Sequence, residues 1–275
     1  AASDVYKRQV GSLQNPNSTA TSTDDVRPAL NIGSGLSDTP KLYVDGVLVA
    51  ATYNKLDGTF IPDADLAEGS HNITYTLTNA TGLESVASDP LTLTVDTTAP
   101  AQPAAPVSFA DDTGALQSLA SKAGTTDDTQ PGIMAGKGLA DSPTLYVDGA
   151  RVAAAYNAAS GTLTPTSGLA EGPHAFTVTL TDAAGNESLP SAALNIHLDT
   201  TPPIVQSTAF TGATGAINHV LNAGDTVQIT VTLSEETIVT GSPQIALLLD
   251  GKAVQASYVS GSGSNSLAVS YTHLT

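Results

Sequence analysis

Apolar and polar residues alternate with a period of two in many short runs along the chain. Ile73, Tyr75 and Leu77 are separated by threonines, and the run from Leu91 to Val95 has the same pattern. Such alternation is typical of strands that turn one face to a core and the other to solvent. The sequence has no convincing amphipathic helix of three or more turns. The pattern therefore predicts an all-β protein.

The chain also repeats itself at an offset of 103 residues, which aligns residues 10–98 with 113–201 without a gap and with about half of the positions identical. A fixed period indicates tandem copies of one folding unit. Each copy contains about seven short apolar runs separated by turn signals, such as Asp45-Gly46 and Asp148-Gly149. This arrangement predicts tandem immunoglobulin-like Greek-key β-sandwiches.

The residues after the second copy do not repeat at that offset, but they keep the β pattern. From Val227 to Leu233, apolar residues alternate with Gln and Thr. About two thirds of a sandwich is present in this segment. We therefore expect a truncated third Ig-like domain at 201–268, after Ig-like domains at 10–97 and 98–200.

Both ends of the chain resemble translated sequencing adapter. Residues 1–9, AASDVYKRQ, can be encoded by a transposase-type library adapter, and the reverse complement of that DNA encodes residues 269–275 in a shifted frame. One DNA segment thus explains both ends, on opposite strands. We interpret residues 1–9 as an artefactual leader and 269–275 as an artefactual tail, and we expect the parent protein to be longer.

Composition narrows the possible functions. The chain has no Cys, which excludes a disulfide framework and any cysteine nucleophile or zinc ligand. It has 26 acidic and 9 basic side chains, for a formal charge of −17, which opposes binding to nucleic acid or to an anionic membrane surface. No apolar run approaches the roughly 18 residues of a membrane span. We expect cations as ligands, no nucleic-acid partner and no membrane insertion.

Several motifs of the second copy occur together: Leu169-Ala170-Glu171-Gly172-x-His174, Thr181-Asp182-Ala183-Ala184-Gly185-Asn186 and Asp199-Thr200-Thr201-Pro202. As a set they resemble the bacterial Ig-like repeats of large secreted adhesins and biofilm-associated surface proteins, and the resemblance covers nearly all of residues 10–201. Residues 202–268 are more loosely similar to another repeat type of the same adhesins. The resemblance implies an extracellular, cell-surface protein in which stacked β-sandwiches form an extended rod, often stiffened by calcium at acidic loops and domain junctions.

The junctions themselves favour stiffness. They read Asp96-Thr97-Thr98-Ala99-Pro100 and Asp199-Thr200-Thr201-Pro202-Pro203, so proline restricts the backbone and no flexible Gly/Ser tract intervenes. Short, stiff connections suit a stalk.

Calcium is the cofactor that we expect, because it prefers several oxygen ligands and is plentiful outside cells. The paired aspartates of the second domain should gather with Asp199 at one pole, whereas Asp182 should face Asp96 of the preceding joint. The first domain departs from this pattern, since Asn79 replaces Asp182. The alternative is that these residues cap turns on an acidic surface. The predicted metal ligands are Asp24, Asp25, Asp96, Asp111, Asp112, Asp127, Asp128, Asp182 and Asp199.

No catalytic residue is predicted. His71 and His174 occupy equivalent positions without a second His in register, and we interpret both as structural. His219 has no repeat partner. The adjacent Glu235 and Glu236 would point to opposite faces of a strand, which disfavours acid–base work. The predicted turn residues are Asp45, Asp148 and Asp250.

These observations favour a non-enzymatic stalk segment of a secreted bacterial surface adhesin that serves cell adhesion or biofilm formation. Its partners would be neighbouring Ig-like domains of the same chain and, through a tip domain outside this sequence, a host or matrix ligand. One alternative is an Ig-like spacer array of a large extracellular enzyme, which flanking sequence would reveal. The other is a carbohydrate- or host-protein-binding module, which the 4% aromatic content disfavours.

Overall fold

The computed structural model describes residues 6–9, 14–114, 117–122, 124–216, 220–249 and 251–274. Within these ranges all regular structure is β-strand, which confirms the predicted all-β class. The chain divides into two compact units between residues 200 and 201. His219 and Asp250 lie outside the described residues.

In the described residues, the first unit contains two β-sandwiches of ten strands each. The strands of the first sandwich are β1 (Tyr6–Arg8), β2 (Asn15–Ser18), β3 (Ser22–Thr23), β4 (Ala29–Asn31), β5 (Thr39–Val44), β6 (Val47–Val49), β7 (Ala51–Tyr53), β8 (Thr59–Pro62), β9 (Gly69–Thr78) and β10 (Leu91–Val95). Those of the second are β11 (Phe109–Asp111), β12 (Ser118–Ser121), β13 (Thr125–Thr126), β14 (Gly132–Met134), β15 (Ser142–Val147), β16 (Ala150–Val152), β17 (Ala154–Asn157), β18 (Thr162–Pro165), β19 (Gly172–Thr181) and β20 (Leu194–Leu198).

The two sandwiches have one topology. The sheets of the first have the orders β2-β1-β4-β8-β7 and β3-β10-β9-β5-β6, and those of the second have β12-β11-β14-β18-β17 and β13-β20-β19-β15-β16. Strands pair antiparallel except for β3 with β10 and β13 with β20, which are parallel. The described part of each sandwich has ten strands rather than about seven. One reason is that β6 and β7, interrupted only at Ala50, lie in different sheets. The prediction of tandem Ig-like sandwiches is confirmed.

Each core is formed by the apolar face of the alternating strands. In the first sandwich Leu42, Ile73 and Leu93 are buried between the sheets. Tyr6, within the segment interpreted as adapter, is fully buried and occupies the position of Phe109 in the second sandwich. The Tyr6 hydroxyl donates a hydrogen bond to the carbonyl of Ser22 (2.9 Å). Whatever the origin of residues 1–9, strand β1 completes the sheet.

The long strands β9 and β19 depart from simple alternation. Thr76 and Thr179, expected on the solvent face, are buried, with exposed fractions of 6% and 4%. Their Oγ1 atoms donate hydrogen bonds of 2.6 Å to Glu84 and Glu187. The loop before the last strand therefore covers the polar face of each strand.

Tight turns join β5 to β6 and β15 to β16. Asp45 and Asp148 have positive φ angles of 52° and 53°, and Gly46 and Gly149 follow with 78° and 79°. Two consecutive left-handed residues are typical of the two-residue hairpin turn that Asp-Gly favours. The aspartates are turn residues, as predicted.

The second unit is a single antiparallel sheet with the order β21-β22-β25-β24-β23. Val231 and Leu233 of β22 pack with Ala256 and Val269 on one face, in agreement with the alternation in the sequence. The last strand includes residues 269–272 of the predicted tail. The strands are β21 (Val205–Thr214), β22 (Thr226–Thr237), β23 (Gln244–Leu249), β24 (Lys252–Ser260) and β25 (Ser264–Thr272).

Candidate functional site

The loop between β19 and β20 of the second sandwich contacts the first sandwich directly. The carbonyl oxygen of Ala184 accepts a hydrogen bond from the backbone N–H of Asp24 (3.0 Å), and Asn186 Nδ2 donates one to the carbonyl oxygen of Asp96 (2.8 Å). Ala184 is only 1% exposed. Two direct hydrogen bonds therefore join the sandwiches, and Ala184 is buried beside them.

Asp182 holds this loop in shape. Its Oδ1 accepts hydrogen bonds from the backbone N–H groups of Gly185 (2.7 Å) and Asn186 (2.9 Å), and its Oδ2 accepts one from Asn186 Nδ2 (2.9 Å). The Asn186 amide thus bridges Asp182 and the backbone of Asp96, so the structure brings these two predicted ligands to one joint. The bonds of the Asp182 carboxylate, however, lie within its own loop.

Asp25 lies beside this joint, next to the half-buried Asp24. Asp25 is 5% exposed, and its Oδ1 accepts a hydrogen bond from the backbone N–H of Arg27 (2.9 Å). Its Oδ2 is buried without a hydrogen-bond partner.

A second acidic cluster lies at the other pole of the second sandwich. Asp128 is 3% exposed. Its Oδ1 accepts a hydrogen bond from the backbone N–H of Gln130 (2.8 Å). Its Oδ2 is buried without a hydrogen-bond partner. Burial and the charges of Asp112 and Asp111 raise the pKa of Asp128, and they outweigh the backbone N–H bonds from Gln130 and Asp112, which lower it. Asp111 is itself buried, and its Oδ2 accepts a hydrogen bond from Thr126 Oγ1 (2.8 Å).

The remaining predicted ligands lie at the same pole. Asp127 is exposed, and its carboxylate lies against Gly114. A Cβ atom added to Gly114 would overlap with this carboxylate. The backbone N–H of Asp199 donates a hydrogen bond to the carbonyl of Thr126 (2.9 Å). The paired aspartates of the second domain and Asp199 thus share one end of the sandwich.

The donor set suits a hard cation, since all the candidate ligands are carboxylate oxygens and Asp128 has a buried oxygen with no hydrogen bond. Across the described ranges, however, no group of three or more His, Cys, Asp or Glu side chains is arranged to hold a metal ion. Calcium binding therefore stays a prediction at both poles.

Each of the two equivalent histidines makes a contact that its sequence pattern does not predict. His71 Nδ1 lies 2.7 Å from Asp45 Oδ2, and its Nε2 lies 2.8 Å from the carbonyl oxygen of Ala67. The bonds to Ala67 and Asp45 raise the pKa of His71. With an acceptor at each ring nitrogen, the protonated imidazolium fits this position best.

The second sandwich repeats this arrangement. His174 Nδ1 lies 2.7 Å from Asp148 Oδ2, and its Nε2 lies 2.9 Å from the carbonyl oxygen of Ala170. Burial lowers the pKa of His174, but the bonds to Asp148 and Ala170 outweigh it, so the pKa is raised overall. We call each group of His, Asp and Ala carbonyl a histidine clip.

The two side chains of a clip, His and Asp, are 26 residues apart, so no local motif shows their contact. The one available signal is that Asp-Gly and Gly-x-His recur together at the repeat offset. Because both ring nitrogens are engaged, the geometry supports the structural interpretation of His71 and His174 rather than a general base.

Comparison with known proteins bears on the second repeat. Residues 98–200 match the family model of the bacterial Ig-like domain. The second repeat is thus similar to bacterial Ig-like domains. This confirms the resemblance for that repeat, and the first sandwich has the same strand order. No curated protein matches the chain.

Several solved structures are similar to this chain, among them two at low identity. Fibronectin(III)-like modules of Clostridium thermocellum CbhA are 14% identical, with a TM-score of 0.38 and coverage of 64% of this chain and 87% of theirs. Dimeric latent PorU from Porphyromonas gingivalis is 15% identical, with a TM-score of 0.20 and coverage of 91% of this chain and 28% of its own. Neither likeness carries an argument about function.

Ig-like domains are structural modules and are typically non-catalytic, which agrees with the predicted spacer role at this coarse level. The described residues include no helix with the length and apolar character that a membrane crossing needs. The domain type is compatible with an extracellular or surface protein.

Proposed function

We propose that this chain is a stalk segment of a secreted bacterial surface adhesin, in which Ig-like domains supply reach and calcium adds stiffness. The observation that carries the proposal is the direct joint between the two sandwiches, made by Asp24 with Ala184 and by Asp96 with Asn186. A stalk needs its domains held at fixed spacing, and such contacts do this without a flexible tether. Recognition of a host or matrix ligand would belong to a tip domain outside this sequence.

The linker supports the same function because it is tied to both sandwiches. Thr97 and Thr98 donate hydroxyl hydrogen bonds to Glu68 (2.6 and 2.9 Å) in the first sandwich. Gln102 Nε2 donates one to the carbonyl of Pro190 (2.6 Å) in the second. With both ends anchored, little of the linker is left to bend.

The calcium part of the proposal rests on the cluster of Asp111, Asp112 and Asp128. The charges of Asp112 and Asp111 repel the buried carboxylate of Asp128, and a bound cation would reverse the sign of that interaction. The Asp128 Oδ2 is buried without a well-formed hydrogen bond, although the backbone N–H of Asp112 acts on this carboxylate, and its weak pairing favours its use as a ligand. We expect weak affinity in the range of extracellular modules, a Kd of roughly 0.1–1 mM.

The test is the stability of the second sandwich with calcium or with chelator, measured by amide hydrogen exchange in β20 of the full chain. At free calcium ten times the Kd, binding should stabilise this sandwich by roughly 1.4 kcal/mol. Asp128→Asn should abolish the gain.

Asp25→Asn is the matched control. Asp25 is the repeat equivalent of Asp128, but Arg8 and Gln9 occupy the positions of Asp111 and Asp112 in the first sandwich. Removal of the Asp25 carboxylate should therefore leave the calcium response of the second sandwich unchanged. Equal exchange rates in millimolar calcium and in chelator would refute the calcium part.

A further inference from the structure

The loops before the last strand have the same backbone conformation in both sandwiches. In the second, the N–H of Asp182 donates a hydrogen bond to the carbonyl of Asn186 (3.1 Å), and in the first the N–H of Asn79 donates one to the carbonyl of Leu83 (3.0 Å). The Asn79 side chain accepts hydrogen bonds from the same loop, as the Asp182 carboxylate does. Differences between the loops therefore lie in their side chains.

Two of these differences occur at the positions that make the joint. Thr81 stands where Ala184 is buried, and Leu83 stands where Asn186 donates to the first sandwich. All of residues 79–83 are exposed, with Leu83 at 70%, whereas Ala184 and Gly185 are buried.

Of the two hydrogen bonds across the joint, the one from Asn186 depends on a loop side chain, whereas the one from Asp24 joins two backbone groups. Asn186 Nδ2 has two hydrogens, and it donates one to Asp182 Oδ2 and the other to the carbonyl of Asp96. Leucine at this position has no donor. The groups offered by the first sandwich, the N–H of Asp24 and the carbonyl of Asp96, belong to the main chain and do not depend on carboxylates.

From this we infer that the pole of the first sandwich formed by Asp24 and Asp96 is a docking surface for one kind of partner, an Ig-like domain whose loop reads Asp-Ala-Ala-Gly-Asn. The first sandwich, whose loop reads Asn-Ala-Thr-Gly-Leu, is not such a partner. The repeats are then not interchangeable, and a few loop residues determine which domain follows which. The inference rests on the proposed stalk function for its biological meaning, but the docking itself requires no metal.

The N–H of Asp24 is a direct reporter, since its hydrogen bond crosses the joint. We would measure its exchange in the full chain in chelator and compare it with that of the Asp96 N–H, which bonds to Thr23 inside the first sandwich (2.9 Å). Asn186→Leu should speed the exchange of Asp24 by about tenfold or more and leave that of Asp96 unchanged. Retained protection in β19 and β20 would show that the variant still folds.

Two controls separate this inference from the calcium proposal. Leu83→Asn is the reverse substitution in the equivalent loop of the first sandwich, which lies away from the joint. It should leave the Asp24 N–H protected from exchange. Asp128→Asn removes the buried carboxylate of the proposed calcium cluster at the other pole of the second sandwich, so docking should persist.

The outcomes are distinct. An unchanged rate at Asp24 in Asn186→Leu, or protection that appears only with calcium, would overturn the docking inference and leave the stalk proposal standing. Protection in chelator without any stabilisation by calcium would support docking and remove calcium from the proposed function.

Discussion

The two sandwiches of the first unit share one strand order, yet they surround the same carboxylate differently. Glu84 accepts hydrogen bonds from Lys41 Nζ (2.6 Å), Thr76 Oγ1 (2.6 Å) and Tyr43 OH (2.7 Å). Glu187 in the second sandwich accepts the equivalent hydrogen bonds from Tyr146 OH (2.8 Å) and Thr179 Oγ1 (2.6 Å). The position of Lys41, however, is occupied by Thr144. The comparison shows that the fold retains the neutral hydrogen bonds and tolerates a change of the charged one.

The cores differ in a compensating way. Phe60 in β8 and Ile73 in β9 are buried in the first sandwich, whereas the equivalent positions of the second hold Leu163 and Phe176. The aromatic ring has moved from one sheet to the other within the same core. Each core therefore has one ring and one aliphatic side chain at these two positions.

The largest expected effect comes from removing a ring. Phe176 is fully buried, so Phe176→Ala loses its burial and leaves a cavity, at a cost of about 3–5 kcal/mol in the free energy of unfolding of the second sandwich. Amide exchange in β20 should report this loss, and the exchange of β10 in the first sandwich should change little.

A paired variant provides the control. Phe176→Ile combined with Leu163→Phe recreates the arrangement of the first core and roughly conserves volume, so it should cost less than about 1.5 kcal/mol. If the pair destabilises the sandwich as much as Phe176→Ala, the two cores are not alternative solutions of one packing problem.

Local patterns predicted most of the fold. Alternation identified strands such as Leu91–Val95, and Asp45-Gly46 identified a hairpin, because strand burial and turn geometry depend on near neighbours. The contacts of the candidate sites were not visible in this way. His71 meets Asp45 26 residues away, and Asn186 meets Asp96 90 residues away, so only the folded chain brings them together.

The histidine clips should make the stability of both sandwiches depend on pH. The folded-state pKa of His71 is raised above 6.5, so its contribution is fully present below the ordinary pKa and is lost as pH rises through the folded value. The pKa of Asp45 is lowered by bonds from Asn72 and His71, so its contribution is present above 3.8 and is lost as pH falls. The clip should therefore be strongest between these two ordinary values.

Amide exchange in β9 and β19 between pH 5.5 and pH 8.5, corrected for intrinsic rates, would check this. His71→Gln should flatten the pH dependence in the first sandwich only and cost roughly 1 kcal/mol at the lower pH through the bond to Ala67. The unaltered His174 clip serves as the internal control. Parallel pH profiles in the variant and the parent would contradict the assignment.

The smallest expected effect concerns Lys41, because its ion pair with Glu84 is partly exposed and such pairs add little to stability. The ion pair is better detected through the pKa of Glu84. Bonds from Lys41, then Thr76 and Tyr43, lower the pKa of Glu84 to about 2. A lowered carboxyl pKa contributes stability above the ordinary value of 4.5, and that stability is lost as pH falls toward 2.

Lys41→Thr gives the first sandwich the residue of the second, and it should raise the pKa of Glu84 from about 2 because the largest cause of the shift is removed. The remaining bonds from Tyr43 and Thr76 should keep that pKa below its ordinary value. An NMR titration of the Glu84 side chain would measure the change, and Lys41→Arg, which keeps the positive charge, is the matched control. A pKa that stays near 2 in Lys41→Thr would mean that the neutral hydroxyl donors alone hold the carboxylate, and the difference between the repeats at this position would then have no electrostatic consequence.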